Sequence, residues 1–317
     1  MQCLAWSGAG IAWVMNAGVP RPISFGNRAF AAEIKRGDFM FAQISDSHIG
    51  FNKDANPDPG GTLQIALDQI KAIRPAFMLH TGDVTHLSKP EEFDTAAQII
   101  GSPRIETYYV PGEHDVLDEN ANLFFQRFTP TAKNGWYSFD YNGVHFVALV
   151  NVMNFKAGGL GNIGAEQLRW LEDDLRDKSA STPIVVFTHI PLWSVYSAWG
   201  WATDDGDKAL ALLRRFGSVT VLNGHIHQLM QKVEGNITFH SAFSTAYPQP
   251  EPGKAAGPGP LKVRTDQLRS VLGISRMTIG SKEATITIAD NTLAITANAA
   301  ADNDPQGSFL NSIFAGD

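Results

Sequence analysis

Short apolar segments that each run directly into a polar, histidine-bearing loop recur along this 317-residue chain, and they constrain its fold more than any other feature. Each segment has the length and composition of a buried strand. These predicted strands cover residues 39–45, 76–80, 105–110, 184–188 and 219–222. Periodic apolar positions predict helices between several of them, over residues 62–73, 91–100, 165–177 and 207–216. Alternation of this kind predicts an α/β domain in which helices cover mixed sheets.

Antiparallel pairs are predicted as well. The dipeptide Asn142-Gly143 is a strong two-residue turn signal, so residues 136–141 and 144–150 should form a hairpin. Similar patterns predict that residues 228–233 pair with 237–243, and that 274–279 and 284–288 close the domain. Between Pro248 and Pro260, eight of thirteen residues are Pro or Gly. That stretch is therefore predicted to be a surface loop inside the domain.

The charge balance argues against one class of function. The chain has 25 Lys and Arg against 32 Asp and Glu, a formal net charge of −7. A protein that holds nucleic acid on a broad basic surface needs the opposite balance, whereas a small phosphate-bearing substrate in a metal-lined pocket is compatible with this one. The single cysteine, Cys3, excludes a disulfide framework within the chain and a cysteine-rich metal site. Any metal site must therefore use histidines and carboxylates.

The first 31 residues are predicted to be an export signal or an apolar N-terminal arm, ahead of a domain over residues 32–298 and a loose tail over 299–317. Residues 3–19 carry no charge but are too weakly apolar for a stable transmembrane helix. Ala29-Phe30-Ala31 has the small-x-small pattern of a signal cleavage site. No Lys or Arg precedes Arg21, which is atypical of a signal unless the start is truncated. The expected location is the periplasm, or the cytoplasm if this segment is not a signal.

Five of the nine histidines follow predicted strands, each near a carboxylate or a second histidine. Divalent metals such as Mn, Fe and Zn accept imidazole and carboxylate ligands, and a centre of two ions also needs a carboxylate that bridges them. One such piece alone is more often a turn or a helix cap. The candidate ligands are Asp46, His48, Asp83, Glu113, His189, His225 and His227.

The order of the motifs Asp-Ser-His, Thr-Gly-Asp, Gly-Glu-His-Asp, Thr-His-Ile-Pro and Gly-His-Ile-His resembles that of the calcineurin-like metallophosphoesterase superfamily, from about residue 39 to 243. Within it the chain is most similar to the bacterial cyclic-nucleotide phosphodiesterase branch. The resemblance implies a four-layer αββα sandwich, with helices outside two mixed sheets. It also implies two metal ions, one held by Asp46, His48 and His227, the other by Glu113, His189 and His225, and both bridged by Asp83.

The resemblance implies a mechanism in which a hydroxide between ions about 3.5–4 Å apart attacks phosphorus in line with the leaving group. His114 is then the candidate to stabilise the transition state or to protonate the leaving oxygen. Where the family often has the aspartate that orients this histidine, the chain has His86. His86 is a ligand of a third site, a partner of Glu113, or an exposed residue, and the sequence does not choose between them.

Glu113 is a second departure, because the family has asparagine there. With two divalent ions and a hydroxide, an asparagine would leave the inner ligand set at +1, whereas Glu113 brings it to zero. A less positive centre attracts a phosphomonoester dianion less, so we expect a phosphodiesterase, or else one trivalent ion that restores the charge. A phosphomonoesterase of the same fold and a non-catalytic metal-binding interaction protein are the alternatives.

Other residues are candidates for supporting roles. His80 and Asp115 are expected to hydrogen-bond near the ligands. The aromatic residues after His189 could stack on a nucleobase or an aryl leaving group, so the substrate is a small phosphoester with a nucleotide as one candidate. Packing against the sheet or against another subunit is the alternative for these rings. They are Trp193, Tyr196, Trp199 and Trp201. The sequence leaves the metal, the physiological substrate and the oligomeric state open.

Overall fold

The fold is that of a computed structural model, which describes residues 11–16, 19–24, 38–132, 134–280 and 286–294. A seven-stranded sheet has the order β2-β1-β13-β12-β3-β4-β5, in which β3, β4 and β5 run parallel. Its strands are β1 (Ile11–Asn16), β2 (Val19–Ser24), β3 (Phe39–Ile44), β4 (Met78–His80), β5 (Thr107–Tyr109), β12 (Gly273–Ile279) and β13 (Ile286–Thr292).

A six-stranded sheet has the order β10-β11-β9-β8-β7-β6, with parallel inner strands and an antiparallel strand at each edge. Its strands are β6 (Tyr137–Tyr141), β7 (Val144–Ala148), β8 (Ile184–Phe187), β9 (Val219–Asn223), β10 (Met230–Glu234) and β11 (Ile237–Ser241). The helices are α1 (Pro59–Ile73), α2 (Pro90–Gly101), α3 (Asn122–Phe128), α4 (Ala165–Leu175) and α5 (Gly206–Leu213).

Three apolar clusters divide the molecule into layers. The central cluster lies between the two sheets, where Phe41 stacks on Phe77 at 5.2 Å and meets Phe146 edge-on at 5.3 Å. A second cluster packs α1, α2 and α3 on the first sheet, and a third packs α4 and α5 on the other. Helices therefore cover both outer faces of two mixed sheets, and the predicted αββα sandwich is confirmed.

Local chemistry explains where α1 begins. Asp58 accepts a hydrogen bond from the backbone N–H of Gly61 at 2.8 Å, and Pro59 occupies the first helical turn, where it needs no donor. A cap of this kind stabilises a helix by about 1 kcal/mol, which offsets the weak helix propensity of Gly60 and Gly61. The helix therefore starts three residues before the predicted residue 62, and it buries Leu63, Leu67 and Ile70 against the first sheet.

Most predicted elements are confirmed, including the hairpin at Asn142-Gly143 and the irregular path of residues 248–260. The sequence analysis missed α3, which is seven residues long and has no side-chain cap. It also did not predict β1 and β2, two strands inside the 31-residue N-terminal segment that pair with each other and join the sheet at β13. The rest of that segment and the predicted tail over 299–317 lie outside the described residues, so the signal and the domain boundaries stay predictions.

The topology brings the polar loops together. The parallel strands β3, β4 and β5 end at one edge of their sheet, and β8 and β9 end at the corresponding edge of the other. Backbone hydrogen bonds join the loops across this edge, for example from Asp46 N to Gly82 O at 2.9 Å and from Gly224 N to His189 O at 3.1 Å. Within the described residues, no helix combines the length and the hydropathy needed to cross a bilayer.

Candidate metal centre

Several candidate ligands have a backbone conformation that residues with a side chain seldom adopt. A positive φ in a residue other than glycine costs about 1–3 kcal/mol and persists only where surrounding contacts enforce it, often at functional sites. The residues concerned are Asp46 (φ 53°), His48 (41°), Asp83 (52°), His225 (68°) and His227 (51°). Five of the seven predicted ligands therefore lie in tight loops whose strain is offset by the packing around them.

Two glycines allow these loops to approach each other. A Cβ at Gly82 would collide with the imidazole of His189 and the backbone of Gly112, and the φ of Gly82 is +97°. A Cβ at Gly224 would collide with Ser45 and with the Asp46 carboxylate. The Gly in Thr-Gly-Asp and the Gly in Gly-His-Ile-His are thus required by close contact between the two sheets' loops.

The first half of the centre consists of Asp46, His48 and His227, and all three side chains are buried. His227 Nε2 lies 3.2 Å from Asp46 Oδ1 and 3.2 Å from His48 Nε2. Burial alone would raise the pKa of Asp46, but His227 and His189 outweigh it, and the pKa is lowered. Burial and the neighbouring His227 hold the pKa of His48 well below its usual value, so His48 presents a neutral imidazole, the form that binds metals.

The second half consists of Glu113, His189 and His225. Glu113 Oε2 lies 2.7 Å from His189 Nε2, and Glu113 Oε1 lies 2.9 Å from His225 Nδ1. Burial opposes ionisation of Glu113, but the two histidines win and hold its pKa well below the usual value. Burial would lower the pKa of His189, yet Asp83 and Glu113 raise it well above normal. This half is therefore a strongly negative field that attracts a cation.

Asp83 lies between the two halves. Its Oδ2 is 3.5 Å from His48 Nε2 in one half and 3.5 Å from His189 Nε2 in the other. Its Oδ1 accepts a hydrogen bond from the backbone N–H of His114 at 2.9 Å, which fixes the orientation of the carboxylate. One carboxylate is thus placed to serve both clusters, which is the geometry that a bridging ligand needs.

Hydrogen bonds set the tautomers of two candidate ligands. His189 Nδ1 donates to the carbonyl of Thr81 at 2.7 Å, and His227 Nδ1 donates to the carbonyl of Tyr247 at 2.6 Å. A carbonyl only accepts, so when either ring is neutral its lone pair is on Nε2, which faces the centre. In His189 a metal ion would take the place of the proton that the raised pKa favours. Within the described residues, the buried Nε2 atoms of His189 and His225 make no hydrogen bond of good geometry. Buried lone pairs among carboxylates fit a metal ion.

His114 lies beside both halves. Its backbone N–H binds Asp83, and its Nδ1 donates to the carbonyl of His86 at 2.7 Å, which leaves Nε2 for other partners. Its ring meets the ring of His48 edge-on at 4.8 Å and lines the open cleft. Burial would lower the pKa of His114, but Asp83 and Glu113 outweigh it and raise the pKa, which favours a ring that carries a proton.

His86 faces His48 and His114, and within the described residues it forms no hydrogen bond or ion pair with Glu113. Its Nδ1 is 3.5 Å from His48 Nδ1, and its ring stacks on the ring of His114 at 4.9 Å. Burial and His114 lower its pKa to about 4, so the ring is neutral. Its backbone carbonyl orients His114, the task that a side-chain carboxylate has in the family pattern. Of the three roles left open, the geometry disfavours a partner of Glu113.

Asp115 and His80 form hydrogen bonds that connect the loops carrying the candidate ligands. Asp115 is buried and accepts hydrogen bonds from the backbone N–H groups of Val84, Thr85 and Gly112 at 2.8–3.0 Å. Burial and Asp83 nonetheless raise its pKa to about 7. His80 accepts from Gly82 N at 3.3 Å and therefore donates through Nε2 to Ser47 Oγ at 2.9 Å. Both residues hydrogen-bond to the loops that carry the candidate ligands.

An open cleft of about 230 Å³ lies over the two halves. Of the four predicted substrate-contact aromatics, Trp201 alone borders it, and its side chain is fully buried. Trp199 packs edge-on against Trp201 at 5.2 Å, and Tyr196 packs edge-on against Trp199 at 5.3 Å, so these rings extend away from the cleft lining. Trp193 packs on Phe239 at 5.9 Å in the outer core of the second sheet. Packing against the sheet, the alternative considered for these rings, therefore describes Trp193.

The sequence analysis missed several residues of the cleft. The ring of Tyr247 lies 4.7 Å from that of His48 and 4.7 Å from that of His227, while its carbonyl orients His227. No motif marks Tyr247, because the carbonyl that it contributes is common to all residues. The Pro/Gly composition marked residues 248–260 as a loop but gave no sign that they reach the cleft. The missed lining residues are Phe51, Lys53, Tyr247, Gln249, Pro258, Gly259 and Pro260.

Two solved structures have a similar fold. A dimetal phosphatase from Danio rerio aligns with a TM-score of 0.57 and 13% identity, over 80% of this chain and 99% of that one. A purple acid phosphatase from yellow lupin aligns with a TM-score of 0.60 and 13% identity, over 81% of this chain and 52% of that one. At this level of identity the likeness concerns the fold.

Sequence comparison extends the likeness to bacterial enzymes. A 3′,5′-cyclic-nucleotide phosphodiesterase of Nostoc is 26% identical over 218 residues, 65% of this chain and 78% of that protein. A glycerophosphodiester phosphodiesterase of Enterobacter lignolyticus is 25% identical over 229 residues, 67% of this chain and 79% of that protein. The profile of the calcineurin-like phosphoesterases matches residues 39–229, which hold every candidate ligand from Asp46 to His227. The chain therefore belongs to the calcineurin-like phosphoesterase family.

Proposed function

We propose that this protein is a phosphodiesterase that uses a centre of two metal ions. Membership of the family makes it a metallophosphoesterase, and one observation supports the centre of two ions. The carboxylate of Asp83 lies 3.5 Å from a histidine of each cluster, His48 on one side and His189 on the other. A single ion would need only one of these clusters.

The ligand sets follow from the geometry. Asp46, His48 and His227 would hold one ion, Glu113, His189 and His225 the other, and Asp83 both. When bound, two such cations neutralise phosphoryl oxygens and lower the pKa of water. Imidazoles and carboxylates suit Mn, Fe and Zn, in the divalent state or with one trivalent ion.

His114 acts on the leaving group in this proposal. Because its Nδ1–H is bound by the His86 carbonyl, its Nε2 is the atom that can carry a second proton into the cleft. Asp83 and Glu113 outweigh the effect of burial and raise the pKa of His114. A protonated Nε2 can then donate to the departing ester oxygen, a role that is worth about 10²–10⁴-fold in rate.

The diester preference rests on Glu113 and on the relatives. Glu113 contacts both histidines of the second half, so its negative charge belongs to that half. A more neutral centre disfavours a monoester dianion relative to a diester monoanion. The two bacterial relatives are named as phosphodiesterases of cyclic nucleotides and of glycerophosphodiesters. Phosphatases occur among the relatives as well, for example a purple acid phosphatase of Arabidopsis thaliana, so a monoesterase is the alternative.

Hydrolysis of a matched pair of substrates tests the proposal. Methyl p-nitrophenyl phosphate and p-nitrophenyl phosphate share one leaving group, and we expect the metal-loaded protein to have the higher kcat/KM for the diester. Asp83→Asn should abolish the activity, while Asp68→Asn on the exposed side of α1 should not change it. A higher kcat/KM for the monoester would contradict the diester preference, and activity that survives Asp83→Asn would contradict the site.

We also propose that the chain is exported to the periplasm. The support is the uncharged segment over residues 3–19 and the small residues around Phe30. Cleavage there would remove β1 and β2, so β13 would become the edge strand of the first sheet in the mature chain. Expression in a bacterial host, followed by fractionation and N-terminal mass analysis, tests this. A mature chain in the periplasm that begins near residue 32 is expected, and a full-length chain confined to the cytoplasm would contradict the proposal.

A further inference from the structure

The Pro/Gly loop, residues 248–260, is closed at its base. The backbone N–H of Leu261 donates to the carbonyl of Pro248 at 2.8 Å, so the two ends of the loop meet. A second hydrogen bond, from Lys254 N to Glu251 O at 3.0 Å, turns the chain at the tip. Five of the thirteen residues are Pro, which fixes φ and reduces the number of accessible conformations. The segment is therefore a compact surface loop of the Ω type.

Side-chain hydrogen bonds fix the first residues of the Pro/Gly loop to the metal centre. Gln228 Nε2 donates to the carbonyls of Gln249 at 3.1 Å and Pro250 at 2.6 Å. Gln249 Nε2 in turn donates to the carbonyl of His225 at 3.1 Å. Gln228 is almost fully buried, so its two bonds are shielded from water. The base of the loop is thus held in a fixed position relative to the second half of the centre.

The C-terminal residues of the Pro/Gly loop form one side of the cleft. Pro258, Gly259 and Pro260 line it together with Gln249, and Trp201 is among the residues that complete the lining. The volume of about 230 Å³ is below the 300–1,000 Å³ that is typical of small-molecule sites. A loop that is closed at its base and tethered beside His225 cannot move aside at little cost, so the space beside the metal centre is limited.

We propose that the Pro/Gly loop is a specificity-determining wall, which admits a small ester group beside the metal centre and excludes a bulky aryl group. The substrate class that fits is a phosphoester whose group on this side is alkyl-sized. The inference rests on the proposed function for the identity of the reaction. The test does not depend on that function, because it measures binding alone: phosphonates carry a P–C bond that a phosphoesterase does not cleave.

The experiment measures binding of methylphosphonate and 1-naphthylphosphonate to the metal-loaded full-length protein by calorimetry. In the test variant, residues 251–260 are replaced by Gly-Ser, which keeps the Gln228 and Gln249 hydrogen bonds. We expect the variant to bind the naphthyl compound at least about tenfold more tightly than the wild type does, with methylphosphonate unchanged within about threefold. An unchanged ratio of the two affinities would overturn the proposal.

Two further variants keep the result interpretable. Lys254→Ala changes an exposed residue outside the cleft lining and should leave both affinities unchanged. The double variant Pro258→Gly/Pro260→Gly keeps the loop length and should shift the ratio in the same direction by a smaller factor. If the shortened variant loses metal ions, the double variant replaces it in the test. An unchanged ratio of the two phosphonate affinities in the double variant would then overturn the proposal.

Kinetics separate this inference from the proposed function. The substrates are methyl p-nitrophenyl phosphate and phenyl p-nitrophenyl phosphate, and shortening the loop should raise kcat/KM for the phenyl diester relative to the methyl one. If phosphonate binding shows the size limit but neither diester is hydrolysed, the wall stands and the phosphodiesterase assignment fails. If both diesters are hydrolysed with a ratio that is independent of the loop, the assignment stands and the wall fails.

Discussion

The two halves of the proposed centre contain similar ligands but differ in their access to solvent. In the first half the side chains of Asp46 and His227 are 0% and 1% exposed. In the second half His225 and Glu113 are 11% and 28% exposed and line the cleft. Burial excludes water that competes for the ion, so the first half should bind its metal more tightly and exchange it more slowly. The open half is the one that a substrate reaches first.

Removing one histidine from each half gives the largest expected effect and the most direct test of this difference. His227 and His225 are two residues apart, so His227→Ala and His225→Ala form a matched pair. Each variant should lose most of its phosphodiesterase activity, at least about 100-fold. We expect His225→Ala to keep one tightly bound ion and nearly the wild-type Tm, whereas His227→Ala should lose affinity for both ions and melt at a lower temperature.

Metal content after dialysis and thermal melting measure the outcome. Gln231→Ala on the neighbouring strand β10 serves as a control outside the ligand set. Equal metal retention and equal Tm in the two histidine variants would break the comparison, because the halves would then be equivalent.

The second prediction concerns His114, which contacts Asp83 and the buried half. His114→Ala should lower kcat by about 10²–10⁴-fold while both ions stay bound, because its side chain is not a ligand in the proposed centre. The loss should be smaller for p-nitrophenolate, a good leaving group, than for an alkoxide, which needs a proton. Rates for a series of leaving groups measure this, and a loss independent of leaving-group pKa would contradict the acid role.

Glu113→Asn is the third prediction and addresses the open half. Removal of one negative charge should raise the monoester-to-diester ratio of kcat/KM by about tenfold, since one charge at short range is worth about 1–2 kcal/mol near a protein surface after screening. Glu113→Gln, which keeps the length of the side chain, is the matched variant and should shift the ratio in the same direction. The ratio is measured with the aryl pair described above.

The outcome for Glu113 also tests the metal assignment. Suppose that metal analysis finds one trivalent ion in the wild type and that the monoester-to-diester ratio of kcat/KM is unchanged in Glu113→Asn and Glu113→Gln. The argument that the charge of Glu113 sets the substrate preference is then wrong. If only the open half loses affinity for its ion in the Glu113 variants, the difference between the two halves is supported by a second measurement.

The smallest predicted effect is a shift in the pH profile. His86→Asp would place a carboxylate beside His114, and a nearby negative charge raises the pKa of an imidazole. If His114 acts as an acid, the rate falls as pH rises through that pKa, so the alkaline limb should move to higher pH by roughly one unit. His86→Asn, which adds no charge, should leave the limb in place. A shift to lower pH would contradict the acid role.

The sequence predicted which loops would lie together because strand ends converge by topology. All seven candidate ligands follow the parallel strands β3, β4, β5, β8 and β9, so an expected sheet edge was enough to bring them together. Glu113 was predicted against the family pattern, and the structure places it between His189 and His225. Side-chain identity and strand order carry this part of the information.

The sequence did not predict contributions that come from the backbone or from long-range packing. The carbonyls of His86, Thr81 and Tyr247 orient three histidines, and a carbonyl has no residue signature. Trp193 and Trp201 are close in sequence, yet one packs in an outer core and the other borders the cleft from a fully buried position, because the chain turns between them. The N-cap residue of the short helix α3, Ala121, offers no side-chain cap; Asp118, outside the helix, accepts from Leu123 N at 3.0 Å, and the helix packs on α2.

Each half of the proposed centre draws ligands from the loops of both sheets. His48 follows β3, whereas His227 follows β9, 179 positions later in the chain. A chain that has not yet completed the second sheet therefore holds no complete ligand set. In the proposed centre, metal loading would coincide with the end of folding, and the ions available where folding is completed would help to determine which metal binds.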